Sequence, residues 1–194
     1  KNSEIRQKGG IKSSIVAKVK KGDTLYLQEE LDNWSRVATA DGYSGYIKKE
    51  VLSDPKDDNE EHASTAPEYT NISKDYKINL AFHQVTSMDG NATLAQMVAD
   101  AQGVNTISPT WFSVTDNNGT ISSLASADYV NQAHAMGMEV WGLIDNFNSG
   151  TDNLTFLSST AARANIIQQL MTQAASVGLD GINLDFESIT EEQA

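Results

Sequence analysis

In the second half of the chain, runs of apolar residues alternate with segments whose apolar residues recur at helical spacing. The apolar runs, which we interpret as strands, lie at residues 77–85, 105–114, 138–145 and 179–187. Helices are predicted between them, and a glycine at position 103, 137 or 178 follows each helix. Strands that alternate with helices in this way form a parallel sheet with the helices outside it. The pattern therefore predicts an α/β domain, either an open doubly wound sheet or part of a (β/α)8 barrel.

The predicted helices of this domain lie at about residues 92–101, from about 126 to 137, and at about 158–176. In the last of them the apolar positions 166, 170, 174 and 177 fall on one face. The triplet Asn117-Asn118-Gly119 predicts a turn within the loop that follows the second strand. No GxGxxG motif follows any strand, so the sequence gives no support for dinucleotide binding.

The first 53 residues have a different pattern, made of short β-favouring runs. These runs lie at residues 15–19, 24–28, 34–39 and 45–47, and the turn-forming pairs Gly22-Asp23, Asp32-Asn33 and Asp41-Gly42 separate them. Strands this short, spaced roughly ten residues apart, are typical of a small β-barrel. We therefore expect an all-β domain over residues 1–53.

The two patterns are separated by an acidic segment, and the charge of the chain is unevenly distributed. Residues 54–70 (DPKDDNEEHASTAPEYT) carry a net charge of −5 and show no apolar periodicity, which predicts a linker. Residues 1–53 carry +3 and residues 71–194 carry −10. The total of −12 argues against nucleic acid as a partner. We therefore expect three parts: 1–53, 54–70 and 71–194.

Residue usage excludes several kinds of chemistry. The chain has no cysteine, which excludes disulfides, thiolate catalysis and cysteine-based zinc sites. Its three histidines show no metal-ligand spacing, so we expect neither a metal nor a cofactor. No apolar run approaches 18 residues, which excludes a membrane span, and the first residues show no export signal.

The fourth predicted strand, DGINLDFE at residues 180–187, carries the strongest chemical signal. Side chains alternate faces along a strand, so Asn183, Asp185 and Glu187 should share one face while Ile182, Leu184 and Phe186 face the helices. Burying an amide and two carboxylates is costly unless each is paired. The polar residues also approach the carboxyl end of the strand, where barrel active sites lie. We interpret them as a catalytic site in which two neighbouring carboxyl groups can share a proton.

Other chemically suitable side chains lie at the predicted carboxyl ends of the three preceding strands. The candidate substrate-binding residues are His83, Gln84, Trp111, Phe112, Asp145 and Asn146. An aromatic ring at a barrel mouth can stack against a substrate, and the alternative role for Trp111 is packing within a loop. His83 has the alternative role of a hydrogen-bonded histidine within the barrel.

The segment KVKKGDTLYLQEELDNWSRVATADGYSGYIKKEVLS resembles the bacterial SH3-type domains attached to cell-wall enzymes. The residues that carry this resemblance are the KKGD turn, the Asn33-Trp34 turn and the motif GYSGYI at 42–47. The resemblance implies a wall-binding groove for peptide or glycan, with Trp34, Tyr43 and Tyr46 as its candidate residues. The alternative is that these aromatic rings fill a small core.

The motif DGINLDFE resembles the catalytic signature DGxDxDxE of family 18 glycoside hydrolases, whose fold is a (β/α)8 barrel. Asp180, Gly181, Asp185 and Glu187 match this signature, and Asn183 stands where the family usually has a second Asp. An SH3-type module, a linker and this domain, together with the segment SPTWF at 108–112, resemble the wall-lytic and spore-cortex-lytic branch. The resemblance implies an extracellular or cell-wall location.

The resemblance also implies a mechanism and a substrate. Glu187 would protonate the leaving oxygen, and Asp185 would orient the substrate's own 2-acetamido group, which attacks the anomeric carbon with retention of configuration. Asn183 and Asp180 would be supporting residues. The substrate would be peptidoglycan or chitin, cleaved at a β-1,4 bond next to N-acetylglucosamine.

Residues 71–194 are about half as long as a typical barrel of roughly 250 residues, so we expect only its first four strands here. Such a fragment can be inactive, and its open edge invites self-association. Three alternatives stay open: a non-catalytic glycan-binding protein with a degenerate barrel, a structural protein with a solvated acidic face, and an unrelated barrel hydrolase with paired carboxylates.

Overall fold

The computed structural model describes residues 2–57, 73–148 and 150–190. The chain divides into two compact units, Lys1–Lys77 and Ile78–Ala194. Most of the predicted linker at 54–70 lies outside the described residues. No helix among those residues is long and apolar enough to cross a membrane.

The first unit is an antiparallel sheet of five strands. The strands are β1 (Ser3–Arg6), β2 (Ile15–Val19), β3 (Tyr26–Glu30), β4 (Trp34–Ala38) and β5 (Ser44–Lys48). They are arranged in the order β2-β1-β5-β4-β3, and a 3-10 turn over Lys49–Val51 follows β5. The predicted strands agree with β2 to β5 within two residues. β1 was not predicted because Ile5 is the only large apolar residue in the run SEIR.

The core of the first unit is small and aliphatic. Ile5, Val19, Val37 and Ile47 are buried together, and partly buried side chains such as Leu25 pack around them. In β4 and β5 the buried positions alternate with half-buried ones, as expected for a sheet with one face in the core. The first unit therefore takes the small all-β architecture that its residue pattern predicts.

The second unit contains a parallel sheet. Its parallel strands are β6 (Leu80–His83), β7 (Thr106–Val114), β9 (Glu139–Asp145) and β10 (Gly181–Asp185), and β8 (Ile121–Ser123) lies between β7 and β9 in the chain. The sheet order is β10-β9-β7-β6, so strands consecutive in the parallel set are neighbours. This arrangement confirms the predicted α/β class. The one departure is β8, a short strand that pairs antiparallel with the end of β7.

Helices connect the parallel strands. They are α1 (Leu94–Met97), α2 (Ala127–Ala135), α3 (Asn153–Leu157) and α4 (Thr160–Val177), and a 3-10 segment over Met88–Thr93 precedes α1. The side chains of Ser126, Asp152 and Ser159 accept hydrogen bonds from backbone N–H groups at the starts of α2, α3 and α4. The helix predicted at 92–101 is reduced to one turn, and α3 was not predicted.

The core of the second unit lies between one face of the sheet and the helices. Strand residues such as Ile107, Val140 and Ile144 meet Tyr129 of α2 and Ile166 of α4 there. Burial of this face fixes which side of each strand is turned away from the helices. The polar side chains of the candidate site lie on that second side.

The turn between β7 and β8 is packed tightly against α4. Gly119 has a φ of 76°, and a Cβ atom at this position would lie 2.2 Å from the carbonyl oxygen of Ala162. Asn165 Nδ2 donates to Asn118 O at 3.0 Å, and Gln169 Nε2 donates to Gly119 O at 2.8 Å. Glycine is therefore required here both for the left-handed backbone and for the close approach of the helix.

We predict that Gly119→Ala destabilises the second unit by about 2–5 kcal/mol, because it combines backbone strain with overpacking. Gly137→Ala is the matched control, since Gly137 has a φ of 78° but no atom within 4 Å of the missing Cβ position. Gly137→Ala should lower the free energy of unfolding by only about 1–2 kcal/mol, which is the cost of the backbone strain alone. Urea unfolding of the two variants measures the difference, and equal losses would contradict the close contact with α4.

Candidate functional site

Three polar side chains line up across the carboxyl end of the parallel sheet. The register pairs Asp145 of β9 with Asp185 of β10 on one side and with Ser113 of β7 on the other. Ser113 Oγ donates a hydrogen bond to Asp145 Oδ1 at 2.7 Å. Paired residues of neighbouring parallel strands point to the same face, and their backbones are about 4.8 Å apart. Two carboxylates therefore lie side by side on the face that is turned away from the helices.

A second polar row lies deeper on the same face. Asn183 is two residues before Asp185 on β10, so both side chains point to the same side. Asn183 Nδ2 donates to Ser108 Oγ at 3.1 Å, and Ser108 Oγ donates to the carbonyl oxygen of Trp141 at 2.8 Å. This network crosses β10, β7 and β9, so Asn183 supports the carboxylate row from below.

The opposite face of β10 is only partly covered. Ile182 and Phe186 pack against the core, and the Phe186 ring lies edge-on to Phe156 of α3. Leu184, which was expected to face the helices, is 65% exposed. β10 is the last strand in the sheet order, so Leu184 lacks a neighbouring strand on that side within the described part of the chain.

Glu187 lies just beyond the strand on which it was predicted. β10 ends at Asp185, and the exposed side chain of Glu187 follows two residues later. Its backbone N–H donates to Asn146 Oδ1 at 2.9 Å, and its carbonyl oxygen accepts from Asn146 Nδ2 at 2.8 Å. Glu187 is therefore at the same end of the sheet as Asp185, but its backbone is hydrogen-bonded to the side chain of Asn146 rather than to a neighbouring strand.

Asn146 does not have the role that its position suggested. The residue is only 8% exposed, and its amide is engaged by the backbone of Glu187 and by Asn153 Oδ1, 2.8 Å from Nδ2. Both amide protons are used within the chain, so the predicted substrate contact is replaced by an internal one. Asn153 was missed by the sequence analysis because it lies in a loop-to-helix segment without periodicity.

Asp180 lies at the opposite end of β10 from the carboxylate row. Asp180 Oδ2 accepts from the backbone N–H of Val140 at 2.8 Å and lies 2.8 Å from His134 Nε2 of α2. Five residues at about 3.3 Å each separate it from Asp185, so it cannot support that side chain directly. The structure instead gives Asp180 a role in joining α2 to the start of the sheet.

Trp111 and Phe112 are core residues, which corrects the expectation that they contact substrate. Each is 1% exposed. The pairing of β7 with β9 shifts register between Thr110 and Phe112, and this irregularity leaves both rings in the helix-covered core. Trp111 Nε1 donates to Asn91 Oδ1 at 2.7 Å, and the indole packs edge-on against Tyr129. The exposed aromatic ring nearest in sequence to the site is Phe147, which follows Asn146 and was not predicted.

His83 is buried at the end of β6, while its neighbour Gln84 is exposed. His83 Nδ1 lies 2.8 Å from the Tyr129 hydroxyl and Nε2 lies 3.0 Å from Thr93 Oγ1. Because Thr93 Oγ1 donates its proton to Gly90 O, it must accept from Nε2–H, and Nδ1 then accepts from Tyr129. Both ring nitrogens of the neutral form are satisfied. Burial lowers the pKa of His83, and it raises the pKa of Tyr129. His83 is thus the internal histidine of the alternative interpretation.

The three aromatic residues predicted to bind the wall do not form one groove. Trp34 lines a pocket of about 330 Å³ in the first unit, whose wall includes the cationic side chains of Arg6, Lys18 and Lys48 and the carboxylate of Glu4, which pairs with Arg6. Neither Tyr43 nor Tyr46 lines this pocket. Tyr46 is half-buried and Tyr43 is exposed in the turn before β5. The pocket therefore combines one aromatic surface with a lining of three cations and one carboxylate.

The first unit matches a known family. Residues 1–54 match the bacterial SH3 domain, which confirms the SH3-type domain expected from the sequence. No curated protein matches the chain.

The chain is similar to solved structures of chitinases and of a cortex-lytic enzyme. The C-terminal domain of a putative chitinase from Desulfitobacterium hafniense DCB-2 is 24% identical with a TM-score of 0.50, over 58% of this chain and 34% of that one. The spore cortex-lytic enzyme SleL of Bacillus cereus is 17% identical with a TM-score of 0.47, and the match covers 57% of this chain and 28% of SleL. A chitinase from Bacteroides thetaiotaomicron is 15% identical with a TM-score of 0.47, and the match covers 59% of this chain and 38% of the chitinase. The chain thus spans about a third of the length of the D. hafniense domain, whose likeness shows a shared fold.

We predict that protonation of His83 destabilises the second unit below pH 6.5. The unfolded histidine binds a proton with its ordinary pKa of 6.5, whereas burial lowers the pKa in the folded state. The unfolded state therefore binds more protons between the two values, and the free energy of unfolding falls as the pH decreases through this window. The slope should not exceed about 1.4 kcal/mol per pH unit.

The comparison is with His83→Gln, whose amide can donate and accept but does not titrate. The difference in unfolding free energy between the wild type and this variant, measured by urea unfolding from pH 8 to pH 5, should shrink as the pH falls. A constant difference would contradict the burial of a neutral imidazole.

Proposed function

We propose that the chain carries the acid side of the active site of a glycoside hydrolase that cleaves β-1,4 bonds next to N-acetylglucosamine in peptidoglycan or chitin. The observation that carries the proposal is the row formed by Asp145 and Asp185 at the carboxyl end of the parallel sheet, with Glu187 directly beyond it. The carboxyl end is where parallel α/β barrels have their catalytic groups. In the motif DGINLDFE, Asp185 and Glu187 have the sequence spacing of the family 18 signature that the motif resembles.

The proposed reaction proceeds in two steps. The carbonyl oxygen of the substrate's acetamido group attacks the anomeric carbon, the glycosidic bond breaks, and Glu187 gives its proton to the leaving oxygen. Water then attacks the same carbon and opens the cyclic intermediate, and its proton returns to the Glu187 carboxylate. Two displacements at one carbon retain its configuration. The substrate is its own nucleophile, so no covalent bond to the protein is required.

Asp185 has the role of orienting the acetamido group and stabilising the positive charge that develops on it. The neighbouring Asp145 carboxylate adds negative potential on the same face, and Ser113 fixes the orientation of Asp145 through its hydrogen bond. Asn183, anchored on Ser108, limits the movement of β10 beneath Asp185. Fixed charges aimed at the developing charge are the usual source of transition-state stabilisation.

The complete site requires more of the fold than these residues supply. Four parallel strands in sequential order with helices on one face are consistent with half of a (β/α)8 barrel. We propose that this barrel, an acidic linker at 54–70 and the SH3 domain form one extracellular or cell-wall enzyme. In that enzyme the SH3 domain retains the barrel on its polymer, and the pocket at Trp34 suits an anionic wall ligand because its lining, with Arg6, Lys18 and Lys48 against Glu4, is positive on balance.

A second candidate function is favoured by the bacterial SH3 match at residues 1–54. In this alternative the chain belongs to a non-catalytic protein that binds cell-wall glycan, and its barrel holds the polymer without cleaving it. The two functions differ in what Glu187 does: the enzyme needs its proton, and the binding protein does not.

We predict that Glu187→Gln lowers the rate of bond cleavage by roughly 10²–10⁴-fold, the range for loss of a general acid. The amide keeps the shape of the side chain but cannot transfer a proton. Release of reducing ends from purified peptidoglycan and from chitin is measured for the polypeptide that carries the complete barrel, with this chain assayed in parallel. Co-sedimentation with the same polymers measures binding, which should be unchanged.

The matched control for this experiment is Glu139→Gln. Glu139 begins β9 at the opposite end of the sheet, and its Oε2 accepts from Trp141 Nε1 at 3.0 Å, a bond that a glutamine oxygen can keep. The Glu139→Gln variant should cleave the polymers at the rate of the wild type. Polymer binding without cleavage in the wild type would favour the glycan-binding alternative, and a fully active Glu187→Gln variant would exclude Glu187 as the acid.

We further predict that Asp185→Asn lowers turnover on N-acetylated polymer, because a neutral amide cannot stabilise the positive charge of the cyclised acetamido group. Asp180→Asn is the control, because Asp180 lies at the other end of β10 and an asparagine keeps an acceptor for Val140 N–H. A thiazoline mimic of the cyclic intermediate should inhibit the enzyme, and de-acetylated glycan should not be cleaved. Normal cleavage of de-acetylated glycan without thiazoline inhibition would rule out the substrate-assisted mechanism.

A further inference from the structure

We propose that Asn146 is a positioning residue, which clamps the backbone of Glu187 and so sets the direction in which the proposed acid points. The proposal rests on the proposed function for its catalytic meaning, while the clamp itself is a feature of the fold. The residues that form it are Asn146, Asn153, Glu187 and Ser188, called the amide clamp below.

The amide clamp continues the pairing of β9 and β10 after the backbone ladder ends. The last registered pair of these strands is Asp145 with Asp185. One residue later on the β9 side, Asn146 uses its side chain instead: Oδ1 accepts from Glu187 N–H at 2.9 Å and Nδ2 donates to Glu187 O at 2.8 Å. The amide therefore satisfies both backbone groups of Glu187, as a neighbouring strand would do.

A second amide holds the first in place. Asn153 Oδ1 accepts from Asn146 Nδ2 at 2.8 Å, and Asn153 Nδ2 lies within 3.2 Å of Glu187 O and 3.4 Å of Ser188 O. Asn153 is the first residue of α3, whose N-terminus is capped by Asp152 through a 2.7 Å hydrogen bond from Thr155 N–H. The same bond lowers the pKa of Asp152. The clamp is thereby anchored to a helix rather than to a free loop.

The backbone directly after Glu187 is in an uncommon conformation. Ser188 has a φ of 55° and is the only non-glycine residue at positive φ among the described residues. Strained backbone of this kind persists only where surrounding contacts hold it, and it is frequent at functional sites. In this chain the bonds to Asn146 and Asn153 act on the two residues at the bend. The bend turns the chain out of the strand direction where the acid is presented.

Burial supports a specific role for the Asn146 side chain. At 8% exposure an amide is costly unless its hydrogen-bonding groups are satisfied, and both amide protons and the oxygen are used on Glu187 and Asn153. A general acid must lie within hydrogen-bond reach of the leaving oxygen, so its backbone has to be fixed. Asn146 fixes that backbone without touching the substrate.

The experiment compares Asn146→Ala with Asn91→Ala, a matched control. Asn91 is 7% exposed and also joins separate segments, since its Oδ1 accepts from Trp111 Nε1 and its Nδ2 donates to Leu124 O at 2.9 Å. It has no contact with Glu187 among its hydrogen bonds. Both substitutions remove a buried amide, so they control for general destabilisation.

The first readout needs no activity. Hydrogen exchange of the Glu187 amide, followed by NMR on the full 194-residue chain, should accelerate roughly tenfold or more in Asn146→Ala, as expected for a lost hydrogen bond. In Asn91→Ala, exchange of the Glu187 amide relative to the amides of β10 should be unchanged. Unaltered exchange in Asn146→Ala would overturn the clamp.

The second readout tests positioning in the polypeptide with the complete barrel. Asn146→Ala should lower kcat roughly 10- to 100-fold with KM within about twofold, the signature of a misplaced catalytic group rather than of lost binding. Asn146→Asp keeps the acceptor for Glu187 N–H and loses the donor to Glu187 O. Its kcat should therefore lie between that of the wild type and that of Asn146→Ala.

The two proposals fail in different ways. Faster exchange with an unchanged kcat in an active enzyme would overturn the positioning role and leave the proposed function intact. An inactive wild-type polypeptide would overturn the proposed function and with it the catalytic meaning of the clamp, while the exchange measurement would still decide whether the clamp exists.

Discussion

The register between β9 and β10 is the constraint on which the candidate site depends. It sets Asp185 beside Asp145 on one face, and the period of the strand puts Asn183 on the same face one step deeper. A slip of one residue would turn these polar groups into the core and expose its apolar side chains. Burial of Ile182 and Phe186 on the other face therefore keeps the polar residues where they are. The site is maintained by hydrophobic packing that it does not itself touch.

Side-chain amides take the place of backbone hydrogen-bond partners where the strands stop pairing. Asn146 satisfies both backbone groups of Glu187 beyond the end of β10. In the same way Gln169 of α4 donates to the carbonyl oxygen of Gly119 and accepts from the N–H of Ile121, which holds the β7–β8 hairpin against the helix. An amide offers a donor and an acceptor on one planar group, so it can replace a backbone partner. Segments that look like loops are in this way hydrogen-bonded to neighbouring elements.

The sequence predicted the architecture better than the individual site residues. Parallel strand order and the shared face of Asn183 and Asp185 follow from apolar period and from burial, which act locally along the chain. Trp111 was misplaced because the register shift in β7 depends on pairing with a distant strand. The pairing of Asn146 with Asn153 and Glu187 joins residues up to 41 positions apart, and no local pattern encodes it. Local periodicity identified the strand that leads to Glu187, and tertiary contacts decide how the backbone of Glu187 is held.

The two glycine turns on either side of α2 differ in what surrounds the glycine. The turn at Gly119 gives its carbonyl oxygens to α4, so an extra residue there would pull hydrogen-bonding groups away from their partners. The turn at Gly137 leaves open space at the missing side-chain position. Its backbone is nevertheless engaged, since Gly137 N–H donates to His134 O at 2.9 Å and the N–H of the buried Met138 donates to Ala133 O at 3.0 Å. The Gly119 turn is therefore fixed both in its length and in the residue that it accepts, whereas the Gly137 turn is fixed in length by its hydrogen bonds and leaves room for a side chain.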